Sequence, residues 1–193
     1  MKILHLSVGR LQTNCYIVWA EDSNRCAVID PGDEADRILK NMEDRALTLD
    51  AIMLTHGHFD HVGAVKTLCE KTGCKVYMNI KELALPQQLT GGKLCYTDPY
   101  GDTVTAGGLT FHVLETPGHS EGSVCLRCGD ILFSGDTLFA GTCGRTDLPT
   151  GSWHTILKSL KMLAQLPGNY TVYPGHGPAT NMAAERVSNP CIE

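Results

Sequence analysis

The chain has 193 residues, a size that accommodates one well-buried core but not comfortably two, so a single domain spanning 1–193 is expected. Hydrophobic residues make up 42% and charged residues 19%, the balance of a folded globular protein rather than a disordered one. A formal net charge of −5 argues against a general nucleic-acid binder, and no apolar run is long enough to span a bilayer.

The opening MKILHLSVGRLQTNCYIVW does not read as a signal peptide. His5, Ser7, Gly9 and Arg10 interrupt its apolar stretch and no small-residue cleavage site follows, so a cytoplasmic location is expected. Nine cysteines are an odd number, scattered through strand-like and helix-like segments, which predicts reduced and mostly buried thiols. Cys125-Leu-Arg-Cys128 has redox spacing but lies in an apolar strand-like run without a second pair, so it reads as ordinary strand cysteines. Strands are predicted over Asn14–Ala20 and Arg25–Asp30, joined by the polar turn Glu21-Asp22-Ser23-Asn24. Pro31-Gly32-Asp33 stops the second strand and is expected to cap a helix. Ala35, Ile38, Leu39, Met42 and Ala46 give that helix one buried face.

Ala51–Leu54 is wholly apolar, as in a strand covered on both faces. The stretch THGHFDHVG, residues 55–63, follows at once. Val62, Val65, Leu68 and Cys69 then predict a second helix ending near Gly73, and Lys75–Asn79 another strand. Residues 86–102, rich in Gly, Pro and Asp, form a long connection, either a lid or a surface loop. Leu109–Glu115, Ser123–Cys128, Ile131–Ser134 and Thr171–Tyr173 read as strands. Trp153, Ile156, Leu157, Leu160 and Leu163 mark a helix face. The interleaving predicts a mixed α/β domain without internal linkers.

Four strand ends share one design. His56, His58, Asp60 and His61 follow the apolar run; His119 follows Thr-Pro-Gly; Asp136 follows Ser-Gly; and His176 follows Pro-Gly. Loops at one sheet edge can converge on a point, and glycine before each later residue permits a sharp turn. Imidazole and carboxylate suit zinc, iron or manganese. Seven such ligands exceed the needs of one catalytic ion but match two if a carboxylate bridges. Two divalent ions bring a formal +4, Asp60 and Asp136 remove two and a bound hydroxide one, leaving roughly +1 for an anionic substrate or developing oxyanion. His5, His112 and His154 read as isolated polar histidines.

His56-x-His58-x-Asp60-His61, with His119, Asp136 and His176, resembles the ligand signature of the metallo-β-lactamase superfamily over nearly the whole chain. The resemblance implies an αββα sandwich, two mixed sheets face to face with helices outside. It assigns His56, His58 and His119 to a first metal, Asp60, His61 and His176 to a second, and Asp136 to a bridge. TPGHSEGS, SGDTLFAGTCGRTD and YPGHGPAT are most similar to glyoxalase II and its short relatives. True β-lactamases of the superfamily are exported and lack a bridging aspartate. The diiron reductases carry glutamate where this chain has His58, and the RNA-processing members carry large insertions.

The resemblance implies hydrolysis of a thioester such as S-lactoylglutathione. Two ions, zinc first among the three metals, lower the pKa of a shared water from nearly 16 to about 7 and supply hydroxide. Asp60 orients that water. Asp30 either supports the histidine loop or caps the turn at Pro31-Gly32. Glyoxalase II binds the glutathione carboxylate with basic residues of a helical C-terminal domain, which has no counterpart before Glu193. Pro178 stands where the family has a substrate-binding tyrosine, and Arg145 where it has a binding lysine. Arg145 clamps a carboxylate or pairs with Asp147. The alternatives are a persulfide dioxygenase with one iron, whose members carry a CGRTD-like stretch, a hydrolase of another ester or lactone, and a metal-dependent scaffold. The partner is a small molecule, with no nucleic acid and no membrane; the sequence does not set oligomeric state.

Overall fold

The computed structural model describes residues 1–192. The first sheet holds β1 (Lys2–Val8), β2 (Thr13–Trp19), β3 (Arg25–Ile29), β4 (Thr48–Met53), β5 (Lys75–Met78) and β6 (Asp98–Pro99) in that order. It begins antiparallel and turns parallel from β3 onward. The second half supplies β7 (Thr103–Ala106), β8 (Leu109–Glu115), β9 (Val124–Cys128) and β10 (Ile131–Gly135). A small hairpin follows, β11 (Leu138–Phe139) with β12 (Thr142–Cys143), and then β13 (Thr171–Pro174) and β14 (Thr180–Asn181). The second sheet has the order β14-β13-β10-β9-β8-β7, with only β10 and β13 parallel.

Period-two alternation builds the sandwich. Tyr16, Val18, Ala27, Ile29, Ala51 and Met53 turn inward to meet Val104, Phe111, Leu126 and Phe133 of the opposite sheet. Their neighbours Ile17, Val28 and Ile52 turn outward, under Ile38 and Met42 of α1 (Ala35–Glu43) and Val65 and Leu68 of α3 (Val65–Thr72). On the far side Leu132 and Val172 pack against Ile156, Leu160 and Leu163 of α5 (Trp153–Ala164) and Met182 of α6 (Met182–Ser188). Both faces of β4 are covered, which is why Ala51–Leu54 shows no polar alternation. This is the predicted αββα sandwich.

The structure departs from the sequence reading at several boundaries. β1, β7, β11, β12, β14 and α6 were not foreseen. The N-cap of α1 is Glu34, with φ 56° and no side-chain cap bond, so Asp33 does not cap it. That helix ends before Ala46, which has φ 53°. The helix expected from Val62 is broken in two, α2 (Phe59–Val62) and α3, where the Ala64 amide donates to the Pro31 carbonyl at 2.9 Å instead of back into α2. A Cβ on Gly63 would lie 2.0 Å from the Gly32 carbonyl oxygen, so only glycine permits that approach. Within residues 86–102 lie α4 (Gln87–Thr90) and β6, so the connection is partly ordered structure.

Candidate metal centre

The stretch 55–63 leaves β4 extended and then winds into α2. His56 and His58 precede the helix, with His58 at the N-cap (φ −67°, ψ 147°), while Asp60 and His61 lie in its first turn. Two residues apart in extended chain, the first pair shares one side. The helical turn sends the second pair elsewhere.

The other loops complete two clusters. Nitrogens of His56, His58 and His119 converge, as do donor atoms of Asp60, His61 and His176, each cluster lying within 4.8 Å. His58 Nδ1 stands 2.8 Å from His119 Nε2. In the second cluster His61 Nε2 is 3.4 Å from His176 Nε2, and Asp60 Oδ2 is 3.2 Å from His176 Nε2. Asp136 lies between the clusters: Oδ1 is 3.4 Å from His61 Nε2, and Oδ2 is 3.6 Å from both His119 Nε2 and His176 Nε2. All seven residues singled out from the sequence thus meet in one place.

The donors fit divalent ions. Two ligands on one tetrahedral zinc, with bonds of about 2.0–2.2 Å, stand roughly 3.3–3.6 Å apart, close to most of these separations. His56 Nε2 and Asp136 Oδ1 are buried without a hydrogen-bond partner among the described residues. Orphaned polar atoms are costly in a protein interior, and a cation satisfies them together.

The surroundings set which nitrogen faces inward. His119 Nδ1 is 2.8 Å from the Arg145 carbonyl, which only accepts, so Nδ1 carries the proton and Nε2 presents its lone pair. Asp30 does the same for His61, its Oδ2 lying 3.0 Å from Nδ1. Asp30 also accepts from the Thr55 amide at 2.8 Å and the Thr55 hydroxyl at 2.6 Å. Its oxygens are therefore committed to holding the start of the histidine loop. Thr13 donates to Asp60 Oδ2 at 3.1 Å.

Electrostatics divides the clusters. Burial holds His56 well below the ordinary imidazole pKa, brings His58 to about 4 and lowers His119, keeping all three neutral, the form that binds metal. Burial also opposes charge on His61, yet Asp136, Asp30 and Asp60 push it up to about 9. In His176 burial is likewise overcome, by Asp60 and Asp136. Burial acts to raise the Asp60 pKa, but the histidines facing it hold it well below the carboxylate range. This half of the site attracts positive charge.

A cavity of about 340 Å³ opens over His58, Asp60, His119, Asp136 and His176. Leu11, Phe59, Leu89, Phe139 and Leu148 wall it, Leu89 being contributed by α4. Arg145 lines it too, but Nε and Nη2 donate to the two carboxylate oxygens of Asp147, each at 2.7 Å. A smaller groove of about 130 Å³ shares Leu11, Phe59 and Asp60 with the cavity and adds Arg10, Lys93 and Asp33.

Two supporting residues escape sequence reasoning. Asn14 donates to the carbonyls of Pro174 and Gly177, both at 2.9 Å, and so holds the loop of His176. A polar residue in an otherwise apolar strand was the available signal. Glu82, buried beside Gly57 and Ser120, gave none, because in NIKELAL it looks like a surface acid.

Fold and site together define a class, the metal-dependent hydrolases built on this sandwich, and the chain belongs to the metallo-beta-lactamase superfamily, whose family model matches residues 8–176. Among individual relatives, the hydroxyacylglutathione hydrolase GloC of Haemophilus influenzae is 34% identical over 209 residues, covering 100% of this chain and 98% of its own. The crystal structure of the BLEG-1 B3 metallo-beta-lactamase superposes with a TM-score of 0.88 at 33% identity, over 99% of each chain. TTHA1623, solved in a di-iron-bound form, superposes with a TM-score of 0.85 at 37% identity, over 97% of this chain and 98% of that one. Among the described residues no helix is long and apolar enough to cross a membrane.

Proposed function

We propose that this chain is a dinuclear hydrolase of small thioesters bearing an anionic tail, with S-lactoylglutathione as the reference substrate. The observation that carries the reading is two complete three-donor clusters with the Asp136 carboxylate between them. His56, His58 and His119 would hold one ion and Asp60, His61 and His176 the other; the donor set suits zinc, iron and manganese alike, and zinc stands first only by its higher general affinity for such donors. Such a pair supplies Lewis acidity and a water acidified to near neutrality.

The chain's own residues do the rest. Asp60 stays ionised and accepts a hydrogen bond from the attacking water, orienting it toward the carbonyl carbon. Asp30 and the Arg145 carbonyl keep the lone pairs of His61 and His119 turned inward. The apolar walls exclude bulk water and match the acyl chain and sulfur of a thioester. Arg10 and Lys93, in the neighbouring groove that shares Leu11, Phe59 and Asp60 with the cavity, suit the carboxylate of an anionic tail. The name and full-length coverage of the Haemophilus relative support the same bond class. A mononuclear iron dioxygenase would leave one complete cluster without a role, and so it ranks second.

Metal per chain is measured first, then hydrolysis of S-lactoylglutathione, other thioesters, lactones and a β-lactam, alongside oxygen uptake with glutathione persulfide. The expected result is two ions and thioester turnover, abolished in Asp60→Ala. One iron with oxygen uptake would refute the reading, and a preference for lactone or β-lactam would refute the thioester assignment.

A further inference from the structure

Asp30, Glu82 and Glu185 are buried acids outside both donor clusters. Glu82 occupies the 3-10 turn Ile80–Ala84 that follows β5, and its side chain is enclosed. Oε2 accepts from the Gly57 amide at 2.6 Å. Oε1 accepts from the Gly122 amide at 2.7 Å and from the Ser120 hydroxyl at 2.7 Å. Gly57 stands between His56 and His58, and Ser120 directly follows His119. One carboxylate therefore ties the loop after β4 to the loop after β8, and these two loops carry every donor of the first cluster. The fit is tight: a Cβ would lie 3.1 Å from Oε2 if built on Gly57 and 2.6 Å from Oε1 if built on Gly122.

The chemistry of the junction is one-sided. Two backbone N–H groups and a hydroxyl all donate into it, and a carboxylate is the side chain that accepts on both of its oxygens. Burial raises the Glu82 pKa while the three hydrogen bonds act to lower it, so the interior tolerates this acid because of those bonds. We propose that Glu82 is a positioning residue for the first ion: it sets the separation of His56 and His58 from His119, and thereby the affinity of that cluster for metal. The inference rests on the two-ion reading above but not on the substrate named there.

Glu82→Gln keeps the shape and removes the match. Whichever way the amide turns, its NH2 faces a donor, either the Gly57 amide or the Gly122 amide with Ser120. One of the two loops then loses its anchor. The experiment is a competition titration of the purified protein with zinc and a chromophoric chelator, repeated with cobalt to follow the ligand-field spectrum. Melting of the metal-free protein is measured in parallel. The expected result for Glu82→Gln is one ion weakened about 10–100-fold and the other unchanged, the size usual for loss of a ligand-supporting partner. Ser120→Ala, which keeps both backbone bonds, weakens the same ion to a smaller extent.

A lowered melting temperature with unchanged affinity for both ions would make Glu82 a stabilising residue only and overturn the proposal. If Glu82→Gln does not fold, unchanged first-ion affinity in Ser120→Ala overturns it instead. Two ions in the wild type without thioester turnover would sink the substrate reading and leave this test intact.

Discussion

Gly175 is a position where one added carbon strikes the candidate metal centre directly. Its amide donates to the Gly135 carbonyl and its carbonyl accepts from the Asn14 amide, both at 2.8 Å, so the backbone cannot retreat on either side. A Cβ built there lies 2.2 Å from Asp136 Oδ1 and 2.7 Å from His61 Cε1. Non-bonded atoms need about 1 Å more than the first of these distances. In Gly175→Ala the Asp136 carboxylate must therefore move by roughly 1 Å, several times the tolerance of about 0.2 Å on a metal–ligand bond. Displacement of that order costs about 100-fold in rate, and overpacking a tight interior costs about 1–3 kcal/mol in stability. The assay is metal content by elemental analysis after dialysis, with kcat and KM on the best thioester and the melting temperature of the metal-free form. The expected result is loss of one or both ions and at least a 100-fold fall in kcat. Two tightly held ions with wild-type turnover in Gly175→Ala would refute the assignment of Asp136 as the group between the ions.

Three further outcomes are expected. Asp30→Asn tolerates the left-handed backbone at φ 49° but turns a donor toward the His61 Nδ1–H or the Thr55 amide; the ion held by His61 should weaken about 10–100-fold in a chelator competition, and unchanged affinity would reduce Asp30 to a turn residue. Asp147→Asn should release Arg145 and lower KM for an anionic thioester several-fold, the gain fading with added salt and the melting temperature holding; a KM that does not move would take Arg145 out of substrate binding. In metal-stripped protein the pKa of His61 is raised to about 9, so the stabilisation it confers is complete below the unfolded value of about 6.5 and is lost as pH rises through 9. The melting temperature of that form should fall across this window, and a flat profile would contradict the charge balance among His61, Asp30, Asp60 and Asp136.

The donor residues were legible in the sequence because each belongs to a short local pattern. His56, His58, Asp60 and His61 sit within one turn after an apolar strand, and His119, Asp136 and His176 each follow a glycine at a strand end. Helix identity followed from periodicity in α5, whereas β7 alternates in burial over only four residues, too short a run to stand out. The sandwich class came from the resemblance those residues carry. Elements that local propensity does not specify were invisible. β11, β12 and β14 are two residues each and exist because a partner strand pairs with them.

Tertiary structure alone decided what holds the donors in place. Glu82 reaches Gly57 across 25 positions and Gly122 across 40, and Asn14 reaches Pro174 across 160. No spacing rule joins residues so far apart. Their hydrogen bonds are set only when the loops fold over one another and water is excluded, which turns an ordinary acid or amide into an anchor. The same closure decided the state of Arg145, whose guanidinium both lines the cavity and meets Asp147. Which side chains can bind a metal is a property of residue type and local spacing, and so the sequence determined it. Where those side chains stand relative to one another depends on long-range contacts, and only the folded chain determined that.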